Sequence, residues 1–428
     1  MKSLSHGLRH LLLDMSLPGR KDRMMGHIDK PLFTLLTAIL IVGNAAVRTL
    51  ATPVDPPPTA LRVAFVTPDA HPTAAKEDAV IFSDSFADPA DRTARYFEYN
   101  PGKGSFVWKA DEGMGAHRGA MRAQFERGQV TVGSLSVVFG KNPFRKGVRS
   151  QETFREIYWR VYVKHEAGWS GNPAKLARAT CLATSDWSQG FIAHVWGGKG
   201  DVLCIDPATG IQDSRKVSTK YNDFDHLHWL GLRQTQTPIF SPVESGRWVC
   251  IESHIRLNAP DRKDGIFELW VDGRLEASRA DLDWHGAWND YAINAVFLEN
   301  YWNDGAVKRE ARWFSDFVIS TKPIGPIVAT SPPTFTPTEQ GTERWEAQVA
   351  ADPEGKDTVW TSKPLAGKLT ALTLDADHGT FAGSRAGQRT LGQGQTYWLR
   401  LRQAVGQPTA SGTWSDWTAW HAPFRMGQ

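Results

Sequence analysis

Residues 247–273 read RWVCIESHIRLNAPDRKDGIFELWVDG and hold two alternating apolar runs with a polar loop between them. One side of these runs carries Val249, Ile251, Ser253 and Ile255, followed by Phe267, Leu269 and Val271. Alternation with a period of two is typical of β-strands that bury one face. Asp272-Gly273, directly after the second run, is a hairpin turn signal. The stretch therefore predicts antiparallel strands around a buried core.

The same pattern of short apolar runs and Gly, Asn or Asp turns extends from residue 79 to about 325. Examples are EIYWRVYVK at 156–164, FIAHVW at 191–196 and AINAVFLENYW at 292–302. No apolar pattern of helical period and useful length appears in this segment. Many short strands predict an all-β fold with two stacked antiparallel sheets, a jelly-roll β-sandwich over 79–325.

The chain of 428 residues carries 49 basic and 46 acidic side chains, a formal net charge of +3. This charge is close to balanced and no Lys/Arg block of five or more occurs, so we expect no nucleic-acid partner. Hydrophobic residues make up 41% of the chain, which is ample for a buried core. The 18 Trp residues are the unusual feature, because Trp offers a flat surface on which sugars and cations stack.

The N-terminal part of the chain contains the apolar run LFTLLTAILIVG at 32–43, preceded by Lys30. The run is too short for a full membrane span and fits the apolar core of a signal peptide. We therefore expect residues 1–51 to be a signal peptide or an N-terminal anchor of a secreted or cell-surface protein. A membrane is expected as a partner only if this segment stays uncleaved. The Pro-rich residues 52–78 predict an extended spacer.

A second Pro-rich seam precedes residues 326–428, whose size suits a small β-sandwich. Its strand TYWLRLRQ at 396–403 alternates cleanly, and WSDWTAW follows at 414–420. This segment resembles a fibronectin type III domain. The resemblance implies that Trp rings interleave with Arg400 and Arg402 in a cation–π ladder, which favours a structural role over a ligand-binding face.

Sorting the strands of the first domain into inward and outward faces gives a set of polar and aromatic candidates. Outward positions on four strands hold Glu156, Tyr158, Arg160, Tyr162, Lys164, His194, Trp196, Glu252, His254, Arg256, Glu268 and Trp270. A merely solvated face would carry small polar and charged residues, whereas this one combines rings with charged groups. Rings stack on sugars and charged groups bind carboxylates or hydroxyls, so the set predicts polysaccharide recognition on one face.

The segment from about 80 to 325 resembles the concanavalin A-like lectin/glucanase superfamily, and within it the jelly rolls of bacterial polysaccharide lyases. The resemblance rests on the strand pattern E-x-Y-x-R-x-Y-V-K at 156–164 and on the block from Trp248 to Gly273. It implies the jelly-roll fold. Because one fold hosts lectins, hydrolases and lyases, it leaves the activity open.

The acids needed by a glucanase on this fold, E-x-D-x-x-E or E-x-D-x-E on one strand, are absent, so a lyase is favoured over a hydrolase. A lyase neutralises a uronate carboxylate, removes the C5 proton and protonates the leaving oxygen. The candidates for neutralising the carboxylate are Arg160, Lys175 and Arg178. The base that removes the C5 proton would be His194 or His254. The acid that protonates the leaving oxygen would be Tyr158, Tyr162 or Tyr301. The alternative is a non-catalytic lectin-like module or a cell-surface adhesion or structural module.

Cofactor signals are weak in this sequence. His226 and His228 lack a clear third ligand, and the three cysteines show no C-x-x-C spacing, so we expect no catalytic metal or cofactor. Asp84 and Asp316, on the first and last strands of the domain, would suit a structural Ca²⁺. In an exported chain Cys181 and Cys204 are the favoured disulfide pair, with Cys250 left over.

Overall fold

A computed structural model describes residues 63–66, 77–89, 91–114, 119–172, 175–284, 291–329, 332–337, 344–366, 371–405 and 413–427. The predicted signal or anchor at 1–51 lies outside these residues. Within them, helix is limited to one four-residue α-helix, Arg92–Arg95, and three 3₁₀ turns, so the all-β prediction is confirmed. None of the described helices is long and apolar enough to cross a membrane.

The strands are numbered in chain order. The first eighteen are β1 Val63–Val66, β2 Val80–Asp84, β3 Glu98–Asn100, β4 Phe106–Lys109, β5 Ala120–Phe125, β6 Thr131–Val138, β7 Glu156–His165, β8 Lys175–Leu182, β9 Gln189–Gly197, β10 Leu203–Gln212, β11 Arg215–Val217, β12 Leu227–Trp229, β13 Arg233–Gln234, β14 Trp248–Arg256, β15 Gly265–Val271, β16 Arg274–Leu282, β17 Ala295–Tyr301 and β18 Glu310–Ser320. The others are β19 Val328–Ala329, β20 Thr334–Pro337, β21 Arg344–Ala350, β22 Thr358–Ser362, β23 Leu365–Ala366, β24 Leu372–Thr373, β25 Gly379–Phe381, β26 Thr396–Val405, β27 Thr413–Trp414 and β28 His421–Met426.

The strands between β2 and β18 form two antiparallel sheets that face each other across one core. Sheet I has the order β11-β10-β9-β8-β17-β6-β3, with β12 and β13 also pairing with β10. Sheet II has the order β16-β15-β14-β7-β18-β5-β4, with β2 pairing with β18. The residues predicted to point inward on β7, β9, β14 and β15 are buried between the sheets. The jelly-roll β-sandwich is therefore confirmed.

The hairpin predicted at Asp272-Gly273 joins β15 to β16. Both residues have positive φ, 49° and 73°, as a two-residue turn of this kind requires. The carboxylate of Asp272 accepts the backbone N–H of Cys250 at 2.9 Å and lies 2.6 Å from Nη1 of Arg247. The buried Asp272 side chain thereby ties the turn to the start of β14.

The C-terminal part of the chain forms a second sandwich. Sheet III has the order β19-β28-β26-β21-β22-β25, and a three-stranded sheet of β1, β20 and β24 packs on it through Phe335 and Leu372. The spacer prediction for 52–78 therefore needs correction, because β1 pairs antiparallel with β20. Residues 63–66, VAFV, are apolar enough for a strand despite the prolines around them.

The predicted ladder of arginine and tryptophan is present in the second sandwich. The guanidinium of Arg402 lies 4.7 Å from the ring centre of Trp414 and 4.6 Å from that of Trp417. Arg400 continues the series at 4.6 Å from Trp417 and 4.3 Å from Trp420. The fibronectin type III assignment of this domain stays a prediction.

The expected disulfide is absent, because all three cysteines are free and buried. Cys181 on β8 points into the core between the sheets, while Cys204 lies on β10 and strand β9 runs between them. Two strand spacings amount to about 10 Å, beyond the reach of a disulfide.

Candidate functional site

The outer face of sheet II, which carries most of the predicted catalytic residues, is covered by residues 321–327 and by the second sandwich. Arg160 is fully buried and donates from Nη1 to the carbonyl oxygen of Gly325 at 2.9 Å. The phenol oxygen of Tyr162 accepts the backbone N–H of Ile327 at 3.0 Å, and the ring packs in the apolar cluster of the second sandwich. Contrary to the prediction, neither residue lines an open groove.

Three more predicted substrate-binding residues have structural contacts on this side. The carboxylate of Glu252 accepts the backbone N–H groups of Ile324 and Gly325, each at 2.8 Å. Lys164 lies between two tryptophan rings, with Nζ 4.9 and 4.7 Å from their centres, and burial lowers its pKa. Arg256 donates to a backbone carbonyl at 3.0 Å. These groups stabilise local structure and the junction of the two sandwiches.

The remaining predicted residues of sheet II converge on a pocket of about 350 Å³ at this junction. Its centre is His254, whose Nε2 lies 2.8 Å from Glu156 and whose Nδ1 lies 2.8 Å from Glu268. The Tyr158 ring stacks on His254 at 4.2 Å, and Trp270 lines the pocket beside it. Pro323 and Trp398 close it on the side of the second sandwich. The site is a small pocket rather than a groove for a polymer.

Sheet I brings the other predicted residues together on its outer face. Cross-strand register aligns one row over six strands: Glu98, Ser136, Phe297, Arg178, His194 and Asp206. A neighbouring row consists of Tyr301, Lys175, Trp196 and Cys204. Side chains directly opposite each other on one face of a sheet are in contact. Charged and aromatic groups from four central strands therefore form one continuous cluster, in which Arg178, His194 and Asp206 are buried.

Tyr221 reaches this surface from the loop between β11 and β12. Its hydroxyl lies 2.8 Å from Nε2 of His194. Nζ of Lys175 lies 4.3 Å from the Tyr221 ring and 4.5 Å from the ring of Tyr301, and the guanidinium of Arg178 lies 4.8 Å from Tyr221. We call the cluster the basic–aromatic face: Lys175, Arg178, His194, Tyr221, Glu299 and Tyr301.

The electrostatics of the basic–aromatic face keep His194 neutral. Burial, then the charges of Arg178 and Lys175, hold its pKa well below the usual value. Its Nδ1 is buried without a hydrogen-bond partner among the described residues, while Nε2 faces Tyr221. A neutral imidazole accepts the Tyr221 proton through Nε2 when its own proton is on Nδ1. The pair can therefore move a proton away from the tyrosine oxygen.

Among the residues that the structure describes, one carboxylate forms an ion pair with a cation of the face. Nε of Arg178 lies 3.5 Å from Oε1 of Glu299, and Oε2 of the same carboxylate has no hydrogen-bond partner among the described residues. Burial lowers the pKa of Lys175, although Glu299 partly opposes this effect. Burial raises the pKa of Tyr221, which is therefore a neutral phenol at rest. Two cations against one close anion favour a negatively charged ligand.

The carboxyl groups at the two ends of the six-strand row are shifted toward the neutral form. Burial raises the pKa of Asp206, next to His194 in register, to about 6. Burial also raises the pKa of Glu98 at the opposite end of the row. Asp206 therefore opposes a bound anion less than an ordinary carboxylate would near pH 6.

Aromatic side chains border the face on two sides. Trp229 stacks on Trp196 at 5.2 Å between ring centres and is 40% exposed. Trp187 is 36% exposed and packs with Phe144 at 5.6 Å and Phe97 at 5.9 Å. Exposed indole rings beside charged groups match the stacking and polar contacts by which proteins hold sugar chains.

Sequence reasoning missed Tyr221 and Asp206. Tyr221 lies in an irregular loop, so strand alternation says nothing about its direction. Within 221–231 the sequence offered only His226 and His228, as a weak metal signal. Asp206 follows the core residue Ile205 on β10, so an outward acid in an alternating strand was the available signal.

The suggested metal sites are not supported by the arrangement of side chains. Among the described residues, no group of three or more His, Cys, Asp or Glu side chains is placed to hold a metal ion. The carboxylate of Asp84 already contacts Arg92 at 3.5 Å and Arg95 at 3.3 Å, and accepts the hydroxyl of Tyr96 at 2.9 Å. These partners occupy the oxygens that a shared Ca²⁺ with Asp316 would need.

No family model matches the sequence, and no curated protein matches it either. Among solved structures, the chain is similar to a marine alginate lyase from Aplysia kurodai, with 12% identity and a TM-score of 0.40 over 57% of this chain and 99% of that one. An endo-β-1,4-glucuronan lyase from Trichoderma reesei is 11% identical, with a TM-score of 0.40 over 57% of this chain and 96% of that one. A laminarinase from a Flavobacterium species is 12% identical, with a TM-score of 0.34 over 56% of this chain and 99% of that one. With TM-scores below 0.5, these likenesses decide neither the fold nor the activity of this chain.

Proposed function

We propose that the basic–aromatic face binds a uronate-containing polysaccharide and cleaves it by β-elimination. The observation that carries this proposal is the neutral His194 bonded to the Tyr221 hydroxyl, with Lys175 and Arg178 beside the same ring. A proton acceptor next to two cations is what removal of a proton beside a carboxylate requires.

Binding follows from the charges of the face. Lys175 and Arg178 take the carboxylate of the sugar at the cleavage point, where their charge also stabilises the enolate-like transition state. Trp229 and Trp196 stack on a neighbouring sugar ring. Arg178 is the more buried cation and is held by Glu299, so Lys175 is the more exposed contact.

The elimination uses the two tyrosines on either side of Lys175. As the C5–H bond breaks, the Tyr221 oxygen takes that proton and passes its own proton to Nε2 of His194. The electron pair forms the C4=C5 double bond, the C4–O4 bond breaks, and Tyr301 protonates the leaving O4. His194 is fully buried beneath Tyr221, so it acts through Tyr221 rather than on the sugar.

A second candidate is binding without cleavage. It is favoured by the complete burial of His194 and by the raised pKa of Tyr221, both of which disfavour proton removal at rest. The exposed Trp229 and the two cations would serve a lectin-like module equally well.

The experiment is a panel of uronate polymers, with the absorbance of the unsaturated product followed over time. We expect one polymer to yield product, and Tyr221→Phe to reduce kcat by about 100-fold or more with little change in polymer affinity. Lys175→Ala should instead raise KM as well as lower kcat, because it removes a charge that meets the carboxylate.

Trp270→Ala, in the pocket of sheet II, is the matched control and should leave both constants unchanged. A silent panel with retained polymer binding would favour the lectin-like candidate. Cleavage that Tyr221→Phe leaves intact would contradict the mechanism.

Export remains part of the proposal, since a polymer substrate is met outside the cell. It rests on the apolar run at 32–43. N-terminal sequencing of the mature protein should find a start just after Ala45 or Ala51 if the segment is cleaved.

A further inference from the structure

Arg312 on β18 belongs to sheet II, yet its side chain crosses the core to sheet I. It is fully buried and donates from Nε and Nη2 to Oδ1 of Asn300, at 3.2 and 2.8 Å. Nη2 also donates to the backbone oxygens of Glu299 at 2.9 Å and Lys175 at 3.2 Å. The guanidinium thus contacts the backbone beneath two members of the basic–aromatic face.

This arrangement is unfavourable by itself. The acceptors of Arg312 are neutral oxygens, no carboxylate forms an ion pair with it among the described residues, and Nη1 has no partner there. Burial lowers its pKa to about 9, so the group is still charged near neutral pH. An apolar side chain of similar volume is commonly as stable or more stable at such a position. The buried charge therefore needs another explanation.

The two carbonyl groups that Arg312 holds lie where the strand register is irregular. The register of β8 with β9 shifts between Lys175 and Ala177. The register of β17 shifts before Tyr301 on both sides, after Leu298 in the pairing with β8 and after Glu299 in the pairing with β6. Such bulges leave backbone groups outside the regular ladder and redirect side chains. Asn300 faces inward, as the alternation of β17 after Leu298 requires, and meets Arg312, while Lys175 and Tyr301 form a cation–π contact on the outer side.

We infer that Arg312 is a positioning residue for the site on the opposite sheet. By binding the carbonyls of Lys175 and Glu299 and the amide of Asn300, it fixes the backbone at the two register shifts, which carries the side chains of Lys175, Glu299 and Tyr301. Its test has two parts. The measurement of activity rests on the proposed function, whereas the crystal structure of a variant does not.

The test compares Arg312→Met and Arg312→Lys in the full chain. Arg312→Met should fold, by circular dichroism and a cooperative thermal transition, but lose about tenfold or more in kcat/KM as the reacting groups move. Arg312→Lys retains a donor for one carbonyl and should recover part of that loss. Arg247→Met, which removes another buried arginine, paired with Glu244 and Asp272, is the control and should lower stability without changing activity.

The second part of the test is a crystal structure of the folded variant. Loss of the register shift at Lys175 or Tyr301 supports the inference, and retention of both shifts with Lys175 still between the tyrosine rings overturns it, whatever the activity. If Arg312→Met does not fold, the activity and the crystal structure are determined for Arg312→Lys and Asn300→Ala instead. Should the wild-type chain bind polymer without cleaving it, polymer affinity replaces kcat/KM, and equal affinity of variant and wild type contradicts the inference.

Discussion

Lys175 lies between two tyrosine rings and takes its chemical character from that position. The sequence showed a lysine at the start of an apolar strand, and the bulge that turns it outward depends on Arg312, 137 positions later in the chain. The sequence identified Lys175 as a candidate for binding a carboxylate, whereas it did not show the direction in which the side chain points. For Arg160 the direction was predictable, because alternation identified the outward side, but alternation could not show that Gly325 covers it.

Lys175 gives a prediction for alkaline pH. Because burial lowers its pKa from the ordinary 10.5, the ammonium loses its charge at lower pH than a free lysine would, and uronate affinity should weaken there. Tyr221 does not interfere, since its pKa is raised. Measured against pH, the alkaline rise in KM should move upward in Lys175→Arg, because Arg stays charged. An unmoved rise would mean that Lys175 does not meet the carboxylate.

Asp206 gives a stability prediction with a definite sign. Its folded pKa of about 6 exceeds the ordinary aspartate value of 3.8, so its contribution to stability is full below about pH 4 and is lost as pH rises through 6. Asp206→Asn should match the wild type near pH 4 and exceed its free energy of unfolding by about 1 kcal/mol above pH 7, allowing for partial solvent screening. Urea unfolding at both pH values measures this difference.

Asp186→Asn is the opposite control for that series. Hydrogen bonds from Thr184, Lys220 and Ser188 lower the Asp186 pKa, so this variant should lose stability relative to the wild type as pH rises. A stability difference for Asp206→Asn that does not change with pH would show that its carboxyl is not shifted.

At the scale of elements, regular strands were predictable and irregular ones were not. The alternation in β7, β14 and β15 identified their buried faces correctly, since each strand packs one side against a single core. The bulge in β8 breaks the period of two, because the adjacent Leu176 and Ala177 both face the core, and the loop before β12 has no period. These are the places where the basic–aromatic face is built.

The ladder on β26 allows a prediction at this scale. Trp417 lies 4.6 Å from both Arg400 and Arg402, so Trp417→Leu keeps apolar bulk but removes two cation–π contacts. We expect a loss of about 1–2 kcal/mol in the free energy of unfolding. Asp416→Ala, at the exposed neighbouring position, is the control and should change little. Equal stability of Trp417→Leu and the wild type would contradict the stiffening role of the ladder.

At the scale of the whole molecule, the second sandwich decides which face of the jelly roll is open. Tyr162, Trp248 and Cys250 from sheet II share one apolar cluster with Trp345 and Tyr397 of the second sandwich. Alternation within one domain cannot reveal that another domain covers it. This is why the predicted site residues divide into buried contacts on sheet II and a surface cluster on sheet I.

The shared cluster predicts that the two sandwiches unfold together. Tyr162→Phe leaves the Ile327 N–H without its acceptor in a buried position, which should cost about 1–3 kcal/mol and lower a single common transition. Tyr158→Phe on the same strand is the control and should stay within about 0.5 kcal/mol of the wild type. Two separate thermal transitions in the wild type would contradict the shared core.

We propose that polysaccharide binds sheet I, on the basic–aromatic face, and not the side of sheet II. Oxidative footprinting of tryptophan side chains, with and without a saturating uronate polymer, tests this directly. We predict that the polymer protects Trp229 and Trp196 and leaves Trp270 unchanged, and that Lys175→Ala abolishes the protection. Protection of Trp270 with Trp229 and Trp196 unaffected would contradict the account.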